Sequence, residues 1–183
     1  SLTSALAFGF DPKWCNTTGG PCGPTEPSEY FDSDTFAAFT DLGIRPAMVL
    51  AGVEPVSVTT LIDRGVEADG TFPTGRGFFV QTTDEARSVR YPAFQLTVAS
   101  WDHEGGLDLT YLDNSAGGGL DYIENETDVL FYFTGLASVP AIETNTYRPG
   151  AVADHLTSFG GAVPTSFQMS ILEWIEAGAT ASF

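Results

Sequence analysis

Apolar residues in this chain fall into runs of two kinds, and the difference between them predicts the fold. Val129-Leu130-Phe131-Tyr132-Phe133 is continuous, bounded by Asp128 and by Thr134-Gly135. Gly150-Ala151-Val152-Ala153 is a second such run, ending on Asp154-His155-Leu156-Thr157-Ser158. Strands that are apolar without alternation are buried on both faces, the mark of a parallel sheet. Between these runs and a third segment, Ala179 to Phe183, lies a helix pattern from Ser166 to Ala177. Phe167, Ile171, Trp174, Ile175 and Gly178 share one side of it, with Gln168, Ser170, Glu173 and Glu176 opposite. Thr165 or Ser166 is placed as its N-cap, and Gly178 as a left-handed C-terminal cap that also lets the helix lie close to the sheet.

Upstream, Thr35 to Phe39 reads as a short helix capped by Ser33-Asp34 and ended before Gly43, followed by a buried strand from Arg45 to Gly52. A helix from Pro55 has Val58, Leu61, Ile62 and Val66 spaced for one apolar face, and Gly70 ends it. Phe78 to Gln81 is a short strand, and Thr82 to Arg90 a brief helix with acids in its first turn, broken by Tyr91-Pro92. Phe94 to Ala99 and Leu107 to Tyr111 both alternate, joined by His103-Glu104-Gly105-Gly106, so they predict a small β-hairpin inserted at the sheet margin. The expected architecture is α/β: a mostly parallel central sheet with helices on both faces, forming one domain over residues 1–183.

The charge balance excludes one class of function. Twenty-four acids face seven bases, a net charge of −17, and Lys13 is the sole lysine. Phosphate contacts require a basic face, so nucleic acid is not a partner; protein or a second copy of the chain is. No apolar run is long enough for a membrane span. Cys15 and Cys22 enclose a loop rich in Gly, Pro and Thr within the loop-rich segment 1–34. They read as a disulfide, which implies a secreted, cell-surface or periplasmic setting, with free thiols or metal ligands as the competing reading. Both ends of the chain read as cuts within a longer parent.

Several residues could carry chemistry. Gly117-Gly118-Gly119 has neither dinucleotide nor P-loop spacing, and GxSxG and HExxH are absent. The two histidines, His103 and His155, both sit beside acids; imidazole with carboxylate suits zinc or iron, against the plainer reading of hydrogen-bonded or surface histidines. Asp113, Asn114, Asp121, Glu124, Asn125, Glu126 and Asp128 offer hard oxygens for calcium in a Gly-containing loop, against the plainer reading of a solvated acidic loop. A hydrolase would use His155 as base, Asp154 as orienter or metal ligand, and Ser158 or Thr157 as nucleophile. Adjacent strand residues face opposite ways, however, so Asp154 and His155 cannot easily form one relay.

The stretches SLTSALAFGFD, LIDRGVEADGTFPTG, VLFYFTG and PGAVADHLTSFGG with QMSILEWIEAGATASF resemble an uncharacterised bacterial exported family whose members often accompany the PEP-CTERM exosortase sorting system. The resemblance runs from end to end of the chain, implies export, and brings no established activity. A strand ending YFxG, a strand ending xLTS, a helix and a strand are also similar in order to gingipain-type cysteine peptidases of the caspase-like clan. In those, His-Gly follows the first strand and a catalytic Cys closes the second. Here the positions read Thr134-Gly135-Leu136 and Asp154-His155-Leu156, so the resemblance implies the fold and both halves of the dyad are missing. The expectation is a non-catalytic secreted domain acting through surface contacts, calcium-loaded or part of an extracellular assembly, with the Asp154/His155 hydrolase as the alternative.

Overall fold

The computed structural model describes residues 29–30, 33–35, 37–45, 49–101 and 104–183. The chain falls into two compact units, Ser1–Leu50 and Ala51–Phe183. In the first, helix α1 (Ala38–Leu42) begins three residues later than the sequence suggests and ends at Gly43, whose φ of 71° closes it. The Thr35 hydroxyl accepts from the Ala37 amide ahead of the helix, and the Arg45 guanidinium stacks 3.8 Å above the Phe39 ring. The strand expected from Arg45 to Gly52 does not form in its described residues, and Val49 and Leu50 are exposed. Residues 46–48 lie outside the described residues.

The second unit is built on four parallel strands: β1 (Gly75–Gln81), β2 (Leu107–Asp113), β3 (Val129–Thr134) and β4 (Tyr147–His155), in the order β2-β1-β3-β4. The continuous apolar runs predicted as doubly buried strands are β3 and the second half of β4. The β1–β2 register is unbroken from Gly75 opposite Leu107 to Gln81 opposite Asp113. The third strand expected at Ala179–Phe183 reduces to one parallel bridge, Val152 to Ala181, held by backbone hydrogen bonds between Ala151, Ala153, Thr180 and Ala181.

Alternation along the strands sends side chains to two cores. Phe78, Val80, Tyr132, Ala153 and Trp174 pack on one face; Phe79, Leu109, Phe131 and Phe133 pack on the other. Helix α2 (Pro55–Ala68) starts on Pro55, in the first turn where its missing N–H costs nothing. Its inward face is Val58, Leu61, Gly65 and Ala68, not the expected set: Ile62 and Val66 point to solvent. Arg64 lies on the inward side as well, and its guanidinium donates to the carbonyls of Ile175 (2.8 Å) and Ala179 (3.0 Å). A cation there lies against the carbonyl end of the helix, where positive charge is favoured.

The expected hairpin is replaced by a helical crossover. The supposed alternating strand is helix α3 (Tyr91–Ser100), with Pro92 in its first turn starting it where a break was expected. Phe94 and Val98 pack with Trp101 onto Phe79, Leu107 and Leu109, while Leu96 is 70% exposed. Apolar residues at i, i+4 and i+7 share a helix face, and that spacing prevails over the alternation. Leu107 to Asp113 then pairs parallel with β1, as a crossover requires. Residues 82–90, expected as a helix, form turns.

The closing helix is shorter than expected. Helix α4 (Ile171–Ala177) is capped by the Ser170 hydroxyl, which accepts from the Leu172 amide at 3.3 Å. Ser166 instead accepts from the amide of Gln168 at 3.0 Å and donates to that residue's carbonyl at 2.8 Å, a local turn that competes with helix. Phe167 is accordingly 79% exposed rather than core. Trp174 is wholly buried, edge-on to Tyr132 at 5.0 Å. Gly178 has φ 122°, and a Cβ there would come within 3.3 Å of the Tyr147 ring, so the close approach holds as predicted.

Candidate functional site

In a parallel sheet the chain leaves a crevice where strand order reverses, outside the carboxyl ends of the strands. Here β1 is followed in sequence by β2 on one side and β3 on the other, so that crevice lies beyond Gln81 and Thr134. The loop Thr82–Arg90 fills it. Thr82 is 1% exposed; its hydroxyl donates to the Gly135 carbonyl at 2.8 Å, and its amide donates to the Ser88 hydroxyl at 2.8 Å. Gly135 is pressed so closely against this loop that a Cβ would sit 2.1 Å from the Arg87 carbonyl oxygen. Arg87 is paired with Asp84 at 2.6 Å.

Asp154 and His155 close β4 beside this crevice and face opposite ways. Asp154, 2% exposed, takes the Arg90 guanidinium at 2.7 Å, and Arg90 also donates to the Thr134 carbonyl at 3.0 Å. Arg90 Nε and Asp154 Oδ1 are buried without a hydrogen-bond partner in the chain. The pair is therefore incompletely satisfied, which limits what it contributes to stability.

His155, 3% exposed, lies on the opposite face against α4. Its Nδ1 is 2.9 Å from the Trp174 indole nitrogen, and its Nε2 is 3.0 Å from the Met169 carbonyl oxygen. An indole N–H only donates and a carbonyl only accepts, so Nδ1 is the bare nitrogen and Nε2 carries the proton. Burial holds the imidazole pKa below its ordinary 6.5; Arg90 acts in the same sense, while the Met169 carbonyl, Asp154 and Glu173 oppose it. His155 is a neutral core histidine with both nitrogens committed. It cannot ligate a metal or take a proton from a nucleophile without breaking one of those bonds.

The hydroxyls do not join it. Ser158 is exposed, and Thr157 donates to the Gln168 side-chain oxygen. Asp154, His155 and Ser158 therefore share neither a face nor a pocket, and the relay expected of a hydrolase is not assembled. His103 and Asp102 lie outside the described residues, as do Cys15 and Cys22.

The calcium set is dispersed as well. Asp121 accepts from the Thr83 amide at 2.8 Å, from the Thr83 hydroxyl, and from the Asn114 amide at 2.7 Å. Burial would raise its pKa, but these donors outweigh it and hold the carboxyl below the usual range. Asp113 accepts from the Ser115 hydroxyl and amide, Glu126 pairs with Arg76, and Asp128 pairs with Arg148 at 3.0 Å. Glu124 is exposed, and the Asn125 amide donates to the Thr144 hydroxyl at 2.9 Å. Among the described residues no group of three or more His, Cys, Asp or Glu could hold a metal ion. The acidic stretch is tied into the fold by donors from the chain itself.

Sequence reasoning passed over Thr82, Ser88, Arg90, Gln168 and Trp174 as partners in this region. Arg90 carried one signal: it is among only seven bases. No helix among the described residues is long and apolar enough to cross a membrane. Comparison with protein-family models, with curated proteins and with solved structures gives no match to this chain.

Proposed function

We propose that this chain is a non-catalytic α/β domain, exported from the cell, that works through surface contacts made by the loops at the carboxyl end of its sheet, Thr134–Arg148 and Asp154–Gly161. The observation that carries the reading is the commitment of His155. It is the histidine on which the Asp154/His155 hydrolase alternative depends, and Trp174 and Met169 occupy both its nitrogens inside the core. A general base needs a free lone pair within reach of the proton it removes. The crevice where sheets of this kind usually bind small molecules is filled by Thr82, Ser88 and Arg90, which points the same way. Export rests on the likeness to the exported family and on the Cys15–Cys22 pair.

Purified protein is to be incubated with generic ester and peptide substrates beside the variants His155→Gln and Ser158→Ala. Turnover at the blank rate in all three is expected. Hydrolysis by the parent protein that either substitution abolishes would overturn the reading in favour of the Asp154/His155 hydrolase.

A further inference from the structure

The loop after β4 carries no charge, and the loop after β3 carries none before Glu143. Val129 to Ile142 contains no Asp, Glu, Lys or Arg, and neither does Leu156 to Leu172, in a chain of net charge −17. The fold joins these two stretches: the Met169 amide donates to the Ala137 carbonyl at 2.9 Å, and the Val139 amide approaches the Met169 sulfur at 3.2 Å. The second loop is fixed from within. The Gln168 side-chain oxygen accepts from the Phe159 amide at 2.9 Å and from the Thr157 hydroxyl, and the Ile171 amide donates to the Gly160 carbonyl at 2.9 Å. On this frame stand Phe159, Val163 and Phe167, exposed by 46%, 49% and 79%, with the two rings 4.8 Å apart. Aromatic side chains on a backbone already ordered lose little freedom on binding, which makes them effective anchors.

We propose that this uncharged end is a self-association surface, on which a second copy of the chain seats its own Phe159, Val163 and Phe167 about a twofold axis. The proposal rests on the surface-contact reading above and fixes the partner. A basic partner would be drawn to the acidic faces, where charge complementarity guides approach, and would gain nothing from a neutral patch. Another copy meets the opposite constraint: acid faces acid over most of the surface, and the two joined neutral loops are where the copies touch without that repulsion. An identical patch meeting itself gives a closed, isologous dimer.

Salt separates this contact from a charge-paired one. Screening shortens from about 30 Å at 0.01 M to about 8 Å at 0.15 M ionic strength, so the residual repulsion fades while apolar contact remains. Sedimentation equilibrium of the full chain across that range, and on to about 0.5 M, tests it. The weight-average mass is expected to rise from 19.4 kDa toward twice that value with concentration, and more readily at higher salt. Phe159→Ser with Phe167→Ser, checked for native circular dichroism, is expected to associate at least about tenfold more weakly, as loss of central aromatic anchors does. Leu96→Ser, equally exposed but on α3, leaves association unchanged. A mass of 19.4 kDa under every condition would overturn the proposal, as would association that the double variant retains or that salt weakens. A monomer without hydrolytic activity would still satisfy the surface-contact reading, whereas a hydrolysing protein would sink that reading first.

Discussion

Replacing His155 by Gln tests the core assignment on which the absence of a catalytic base depends. A glutamine amide reaches the Nε2 position and can still donate to the Met169 carbonyl, but it leaves the Trp174 indole N–H, wholly buried, without its acceptor. An unsatisfied buried donor costs about 1–3 kcal/mol, so the variant is less stable by that much at about pH 8, where the histidine is neutral. Acid then narrows the gap. The folded pKa lies below the ordinary 6.5, so the unfolded chain binds a proton at His155 before the folded chain does. The histidine's contribution is full above about pH 6.5 and is lost, by at most about 1.4 kcal/mol per pH unit, as pH falls toward the folded pKa. Glutamine does not titrate. Urea denaturation followed by tryptophan fluorescence, at steps from about pH 8 to about pH 5, gives the difference in unfolding free energy between the two proteins. The 24 acids and His103 titrate in both proteins and cancel in that difference. A gap that stays constant over the range, or widens with acid, would refute the neutral, doubly bonded histidine.

Other perturbations follow from the same contacts. Removing one partner of the Arg90–Asp154 pair, as in Arg90→Met, strands a buried carboxylate and should cost about 3–5 kcal/mol in urea denaturation, while Arg90→Met with Asp154→Leu recovers most of the loss. Gly135→Ala drives a methyl group into the Arg87 carbonyl at 2.1 Å and should lower stability by about 3 kcal/mol through overpacking, read as a drop in melting temperature. Arg64→Met removes a charged donor from the Ile175 and Ala179 carbonyls and should cost about 2 kcal/mol, since hydrogen bonds to a charged group are worth about 1.5–3 kcal/mol each and water replaces part of the loss. Calcium should leave the melting temperature of the parent protein unmoved, because the Asp121 oxygens already accept from Thr83 and Asn114.

What the sequence revealed of the fold depended on whether a segment's signal was local. The run from Val129 to Phe133 has a single buried solution, and it became β3. Phe94, Leu96 and Val98 alternate like a strand, yet Phe94, Val98 and Trp101 also lie along a helix face, and packing on Phe79 and Leu109 decides between the two. From Pro164 to Ser170 two serines compete for one helix start. Ser166 bonds its neighbour Gln168, so the helix waits for Ser170. The site was harder to read for the same reason. Asp154-His155 is visible as a dipeptide, but its partners lie far off in sequence, at Arg90, Met169 and Trp174, and no local spacing announces them.

Those distant partners also explain why the two strand-end loops take the role that the crevice usually has. Four polar groups at the carboxyl edge are turned inward: Thr82 to Gly135, Arg90 to Thr134 and Asp154, and His155 to Trp174 and Met169. The loop after β4, and the loop after β3 as far as Ile142, add no charge of their own. What β4's loop offers instead is apolar, the Phe159 and Phe167 rings with Val163 beside them in sequence. A surface that repels its own kind nearly everywhere and is neutral at this edge restricts the geometry of any meeting between copies. Binding specificity can arise from such repulsion as readily as from attraction. A substitution that puts charge into the neutral edge, Val163→Asp, should therefore abolish association at low salt and be partly rescued by screening at about 0.5 M, whereas Val163→Lys should be tolerated better at low salt because it lowers the net negative charge. Equal behaviour of the two variants in sedimentation would show that packing alone, and not charge, sets the contact.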